Sequence, residues 1–217
     1  MEIMKTIESR EEFIIIKSVD NFADYIGRGS NTLFQRFQCK NAPYLQEFIT
    51  KRYNSTTKSH IIYDNDQKII IGFFVLSAAS MIRSDEAESV IGAGLKSVGQ
   101  TIPCMELEYF AVNDLYLQWL KEHGYSDRGV GEYIYKKYIL NVLRTLTEFI
   151  NFSYIILFSI NHPKVVDSYR KKGFITIDDD NENIIPMLGE ATVFASQIVE
   201  GCQFMFQESE NIFYDEW

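Results

Sequence analysis

Proline, cysteine and histidine are all scarce in this chain, with four, three and three copies in 217 residues, and each shortage removes a class of protein. So few prolines leave little room for a Pro-rich linker, and no repeat or low-complexity tract stands out. The cysteines, Cys39, Cys104 and Cys202, are odd in number, widely spaced and without metal-ligand spacing. They read as reduced, mostly buried thiols of a cytoplasmic protein. His60, His123 and His162 show no mutual ligand spacing either, so no metal site is expected. No apolar stretch approaches the length of a bilayer crossing, "FSYIILFSI" being far too short, so no membrane association is expected. The opening "MEIMKTIESREEF" has acids where a secretion signal needs an apolar run. Positive charge is short as well. With 21 Lys and Arg against 30 Asp and Glu the formal net charge is −9, which argues against broad binding to nucleic acid or an anionic membrane.

What is plentiful is core material. Hydrophobic residues make up 46% and charged residues 24%, as in a soluble globular protein, and the length suits one domain over residues 1–217. "EEFIIIKSV" (11–19) reads as a first strand, and Leu45, Phe48, Ile49 and Tyr53 give residues 42–55 helical spacing. Residues 59–81 read as a hairpin turning at Asp64-Asn65-Asp66, and 83–102 as a loop or irregular helix with Gly92, Gly94 and Gly99. "CMELEYFAV" (104–112) is a further strand, followed by a short helix ending near Gly124. Ile134, Tyr138, Val142 and Leu146, flanked by Ile139, Leu143 and Ile150, predict a helix of about five turns. "SYIILFSI" (153–160) suits a central strand covered on both faces. Pro163 suits the first turn of the next helix and Gly173 the residue just past its end. Closing antiparallel strands are expected over 191–208. The fold class is α/β (or α+β).

Chemistry first surfaces at "SDRGVGEYIYKKYI" (126–139), where Gly129 and Gly131 flank Val130 and run straight into a helix. A glycine pair before a helix is by itself an ordinary turn. The order of elements around it is more informative: a strand ending at Val112, the glycine loop, a long amphipathic helix, a buried strand, and a short helix ending Lys171-Lys172-Gly173-Phe174. Over roughly residues 60–178 this resembles the GNAT superfamily of acyl-CoA N-acyltransferases, whose loop reads Arg/Gln-x-x-Gly-x-Gly/Ala; here it stands as Ser126-Asp127-Arg128-Gly129-Val130-Gly131. The resemblance implies a mixed, mostly antiparallel central sheet splayed near its middle, helices on both faces, and a cofactor-binding core over 104–178. It also implies acetyl-CoA as co-substrate. Amides and the positive helix end at Arg128, Gly129, Val130, Gly131 and Glu132 would hold its pyrophosphate, with glycines permitting close approach. Ser126 departs from the family's Arg or Gln, Asp127 sets a negative charge beside the anion site, and the segment after Val112 is longer than usual.

The resemblance also assigns roles on the strand before the loop. The backbone of Phe110, Ala111 and Val112 would bind the pantetheine arm, and an amide there could stabilise the oxyanion. Glu106 occupies the place of a general-base glutamate, and Glu108 shares its face of the strand. An ammonium must lose a proton before it can attack, and two neighbouring carboxyls would raise one another's pKa toward that task. The plain alternative is a solvated, charged strand face. Tyr169, in Tyr-Arg-Lys-Lys-Gly-Phe, matches the family tyrosine that protonates the leaving thiolate, and it shares a half-buried face with Val165. Asn161 resembles the asparagine that touches the pantetheine arm, with a helix N-cap as its other reading.

The acceptor is open. "FQCKNAPYLQEFI" (37–49) and "IIIGFFVLSAASM" (69–81) look like segments of GNAT-type toxins of toxin–antitoxin pairs, which acetylate aminoacyl-tRNA. That reading implies tRNA, a protein antitoxin and a homodimer, and would need a local basic patch such as Lys51, Arg52, Lys58, Lys136 and Lys137. The leading expectation is an N-acetyltransferase acting on a primary amine of a small molecule, peptide or protein. A non-catalytic acyl-CoA-binding module is the third.

Overall fold

The computed structural model describes residues 5–19, 37–40, 42–43, 45, 58–83, 102–176, 184–187 and 202–214. The expected helix over 42–55, the loop region 83–102 and the expected strand over 191–201 lie largely or wholly outside them. The chain divides into two compact units, Met1–Leu76 with Tyr109–Val142 and Ser77–Glu108 with Leu143–Trp217.

In the first unit a 3-10 turn, Ile7–Phe13, leads into β1 (Ile14–Val19), which pairs antiparallel with β2 (Lys58–Asp64). Residues 11–13 therefore belong to the turn and not to the strand expected from 11. β2 pairs antiparallel with β3 (Ile69–Arg83), with a register shift between Ile62 and Tyr63. The hairpin is where it was expected, but Asp64 is not a turn residue. It ends β2 with no exposure because the Arg10 guanidinium meets it there at 2.9 Å. β4 (Ile102–Val112), of which Tyr109–Val112 belongs to this unit and the preceding residues to the second, is followed by α1 (Asp114–Glu122), whose N-cap Asn113 accepts from the Leu115 N–H.

The long helix after the glycines is present but not regular. It begins as α2 (Val130–Ile134), passes through a π-turn at Tyr135–Ile139 and resumes as α3 (Leu140–Thr147). In the π-turn the Leu140 N–H reaches the Tyr135 carbonyl, and the added residue rotates every later side chain around the axis. Hence Ile134, Tyr138, Ile139 and Leu143 are buried as expected, while Val142 and Leu146 are only half-buried and Ile150 is exposed.

The second unit holds β5 (Tyr154–Ile160), α4 (Pro163–Arg170), β6 (Ile175–Thr176), β7 (Ile184–Met187), β8 (Cys202–Glu208) and α5 (Asn211–Tyr214). Ile155, Ile156 and Leu157 of β5 are all buried, as an uninterrupted apolar strand requires. A core of Met81, Cys104, Ile156, Phe204 and Phe206 packs beside it. Strands pair in the order β1-β2-β3-β4-β5-β8-β6, with β7 on β3. The register of β4 with β5 is parallel, and the other described registers are antiparallel. The sheet is mixed and mostly antiparallel, in an α+β fold.

One ladder is short. β4 and β5 pair only from Cys104 with Tyr154 to Glu106 with Ile156, although β4 runs on to Val112 and β5 to Ile160. The two strands part company after Glu106, which is the splay expected near the middle of the sheet.

Candidate active site

In the first unit, the glycine turn is built by backbone conformation. Gly129 has φ of +80°, a left-handed position that L side chains rarely adopt, and it precedes the first helical residue, Val130. The first helical bond returns from the Tyr133 N–H to the Gly129 carbonyl at 2.8 Å. The amides of Val130, Gly131 and Glu132 therefore start the helix, and among the described residues none of them is given an acceptor. A Cβ on Gly129 would meet nothing within 4 Å, whereas one on Gly131 would lie 3.6 Å from Val112 and 4.0 Å from the ring of Phe110. The glycine turn thus sits beside the end of β4, bringing Phe110, Val112, Gly129, Val130 and Gly131 together, while buried Ala111 continues that strand. Arg128 is exposed and no described residue pairs with it. Glu132 is drawn along the helix to Lys136 at 3.2 Å. Asp127, whose charge opposes an anion site, is paired with Lys121 at 2.8 Å, and that ammonium holds its carboxyl below the usual range.

In the second unit, Glu106 and Glu108 project from one face of β4. Glu106 is the last β4 residue paired with β5, and it is half-buried. Burial, with the nearby Glu108 charge adding to it, raises the Glu106 pKa to about 7. Burial also raises Glu108, and a hydrogen bond with Ser77 opposes this. Its Oε2 is buried with no hydrogen-bond partner. These are not carboxylates on a solvated strand face. Their arrangement can take up a proton near neutral pH, which an exposed glutamate cannot do to any extent.

Tyr169 lies in α4, half-buried, edge-on to Phe174 with ring centroids 5.7 Å apart and with the Lys172 ammonium 5.7 Å from its ring centre. Gly173, at φ +89°, ends this helix: the Phe174 N–H turns back to the Tyr169 carbonyl at 3.2 Å and the Gly173 N–H to Arg170 at 3.0 Å. That turn sets Phe174 against Tyr169. Asn161 is exposed after β5, and it is not the N-cap; His162 occupies that position, with Pro163 at the first helical residue.

No family model matches the sequence, and no curated protein matches it. Solved structures do match its fold. The structure of AtaTR bound with acetyl-CoA aligns over 93% of this chain and 97% of its own, with a TM-score of 0.60 at 17% identity. A mutant AtaT toxin bound to the C-terminus of the antitoxin AtaR and acetyl-CoA aligns over 94% and 99%, with a TM-score of 0.56 at 15% identity. The KacTA–DNA complex aligns over 94% and 99%, with a TM-score of 0.55 at 16% identity.

This chain shares the fold of the AtaT and KacT structures.

Three partners of the site residues could not be read from sequence order: Lys121 for Asp127, Ser77 for Glu108, and the π-turn after Ile134. The first two depend on contacts between separate elements, and the third has no glycine or proline to announce it. Only two members of the expected basic patch, Lys136 and Lys137, can be placed with their side chains, and both are in ion pairs. Lys136 is paired with Glu132 and Lys137 with Glu11, while Lys51 and Arg52 lie outside the described residues and so does the side chain of Lys58.

Proposed function

We propose that this chain is an N-acetyltransferase that moves an acetyl group from acetyl-CoA to a primary amine by direct attack on the thioester. The observation that supports it most is the alignment, over nearly the full length of both chains, with toxin structures solved with acetyl-CoA. The residues present suit that co-substrate. The amides of Val130, Gly131 and Glu132, which have no acceptor among the described residues, and the exposed Arg128 provide donors and charge for a pyrophosphate, and Gly129 leaves open space for it. The backbone of Phe110, Ala111 and Val112 is assigned to the pantetheine arm, and Asn161 to a contact with the same arm. Bound acetyl-CoA supplies an activated thioester carbonyl.

Glu106 takes the proton from the acceptor ammonium, because its raised pKa leaves it basic enough near pH 7. Burial first, and then the charge of Glu108 on the same face, keep that pKa raised. Tyr169 gives its phenolic proton to the departing thiolate. A phenol of pKa about 10 protonates a thiolate whose acid is near 8.5 only modestly uphill, so its placement on Phe174 matters more than its acidity. The test is release of free thiol from acetyl-CoA over a panel of primary amines. Release that depends on the amine supports the reading, and binding without release from any amine would point to a non-catalytic acyl-CoA module.

A second reading narrows the acceptor to aminoacyl-tRNA, with an antitoxin as partner. The toxin folds of AtaT and KacT and the resemblance at residues 37–49 and 69–81 favour it, and the net charge of −9 opposes it. Under this reading induced expression arrests growth, and Tyr169→Phe relieves the arrest. Unimpeded growth at full expression would remove it.

A further inference from the structure

The longer segment between β4 and the glycine turn is α1 and the residues after it, and in the first unit it is tied down by the N-terminal stretch. Arg10 is buried, and its guanidinium donates to both oxygens of Asp64, at 2.9 and 3.1 Å, and to Asp66 at 2.9 Å. The same guanidinium lies 4.9 Å from the Trp119 ring centre, 5.0 Å from Phe13 and 5.9 Å from Tyr125. The Tyr116 hydroxyl donates to Asp64 at 3.2 Å. Trp119 and Tyr125 stack with centroids 6.0 Å apart. Thus one planar cation grips the end of β2 through Asp64, the β2–β3 turn through Asp66, and the rings of Trp119 in the last turn of α1 and Tyr125 just beyond it, a fork-and-plane geometry that lysine cannot reproduce.

The hold continues toward the glycines. Lys5 bridges to Tyr125, and its carbonyl accepts from the Ser126 N–H at 2.8 Å. The Ser126 hydroxyl accepts from the Arg128 N–H at 3.2 Å, and Lys121 holds Asp127. From Tyr125 to Arg128 each residue has a hydrogen bond, ion pair or bridge that fixes it, up to the residue before Gly129.

We propose that residues 5–13, through Arg10 and the Lys5 carbonyl, are a positioning hook that sets the glycine turn for its diphosphate ligand. Arg10 is a positioning residue: it acts through Trp119, Tyr125 and Ser126, and touches neither reactant. This rests on the coenzyme reading of the turn, and it goes beyond it by giving the N-terminal segment and the long insertion a common purpose.

The test compares the wild-type chain with Arg10→Lys, which keeps the charge opposite Asp64, and with Tyr125→Leu, which removes the ring that meets Lys5, Arg10 and Trp119. Acetyl-CoA binding is measured by calorimetry, and amide exchange over residues 125–132 is followed in the absence of ligand. For Arg10→Lys the expected results are about tenfold weaker binding, about tenfold faster exchange at the bonded amides of Tyr125, Ser126 and Arg128, and kcat at saturating acetyl-CoA within about twofold of wild type. Tyr125→Leu should show the same pattern with a smaller change of about threefold, and it serves as the deciding variant if Arg10→Lys does not fold. Wild-type affinity and wild-type exchange in the folded variants would overturn the hook while leaving the coenzyme reading in place. Faster exchange with unchanged affinity would also overturn it, since the turn would then not need to be held. A wild-type chain that does not bind acetyl-CoA would overturn the coenzyme reading itself, and the hook's purpose with it.

Discussion

At Gly129–Glu132 the polar groups on offer are main-chain amides at a helix start, beside a glycine that is exposed to solvent. At Glu106 and Glu108 they are side-chain carboxyls held on a strand where burial raises both pKa values. The first region depends on backbone conformation. Almost any side chain can change around it, but a Cβ at the left-handed position or a charge in the open space alters it at once. The second depends on desolvation, so its chemistry shifts with pH and with anything that admits water. Binding and proton transfer are therefore expected to fail independently.

The largest expected effect is on the turn. Gly129→Glu puts a side chain and a negative charge where φ is +80°, and acetyl-CoA affinity should fall about 100-fold or more by calorimetry. Unchanged affinity would show that the amides there do not hold the coenzyme. Next comes Glu106→Gln, which should lower kcat/KM about 100-fold while leaving acetyl-CoA affinity within about twofold. In the wild type kcat/KM should rise with pH through about 7 as Glu106 ionises, and that limb should vanish in the variant.

The same group has a stability signature of opposite sign. Its folded pKa of about 7 lies above the ordinary 4.5, so the folded state holds the proton more tightly and stability falls as pH rises between these values. Thermal melts of Glu106→Gln should show a flatter dependence over that window. An identical slope would mean that Glu106 is not the desolvated group. Tyr169→Phe keeps the edge contact with Phe174 and should lower turnover about tenfold with no change in melting temperature. The smallest effect should come from Gly173→Ala. At φ +89°, with a Cβ 2.8 Å from the flexible end of Gln207, it should cost about 1–2 kcal/mol of stability and leave acetyl-CoA affinity intact.

Much of the scaffold was legible because its signals are short-range. Gly129 before the run of Ile134 and Tyr138, Pro163 and Gly173 bracketing α4, and the apolar run of β5 each encode their element within a few residues. The candidate carboxylates were legible as a pair, since alternation along a strand puts Glu106 and Glu108 on one side. Asp64 was misread as a turn residue because an Asp-Asn-Asp sequence is turn chemistry, and the arginine that buries it lies 54 positions away. The burial of Val142, Leu146 and Ile150 was misread, although that of Leu143 was not, because a π-turn leaves no mark on hydrophobic periodicity until after the face has rotated.

The chain by itself determined which segments are strands and helices, where the glycine turn starts and which residue types stand near it, because backbone propensity and capping act between neighbours. Only the tertiary structure decided that β4 leaves β5 after Glu106, that Glu106 holds its proton to about pH 7, and that Asp127 is neutralised by Lys121. Pairing registers, desolvation and ion pairs arise between parts of the chain that are distant in sequence, and their strength is set by burial that no local pattern carries.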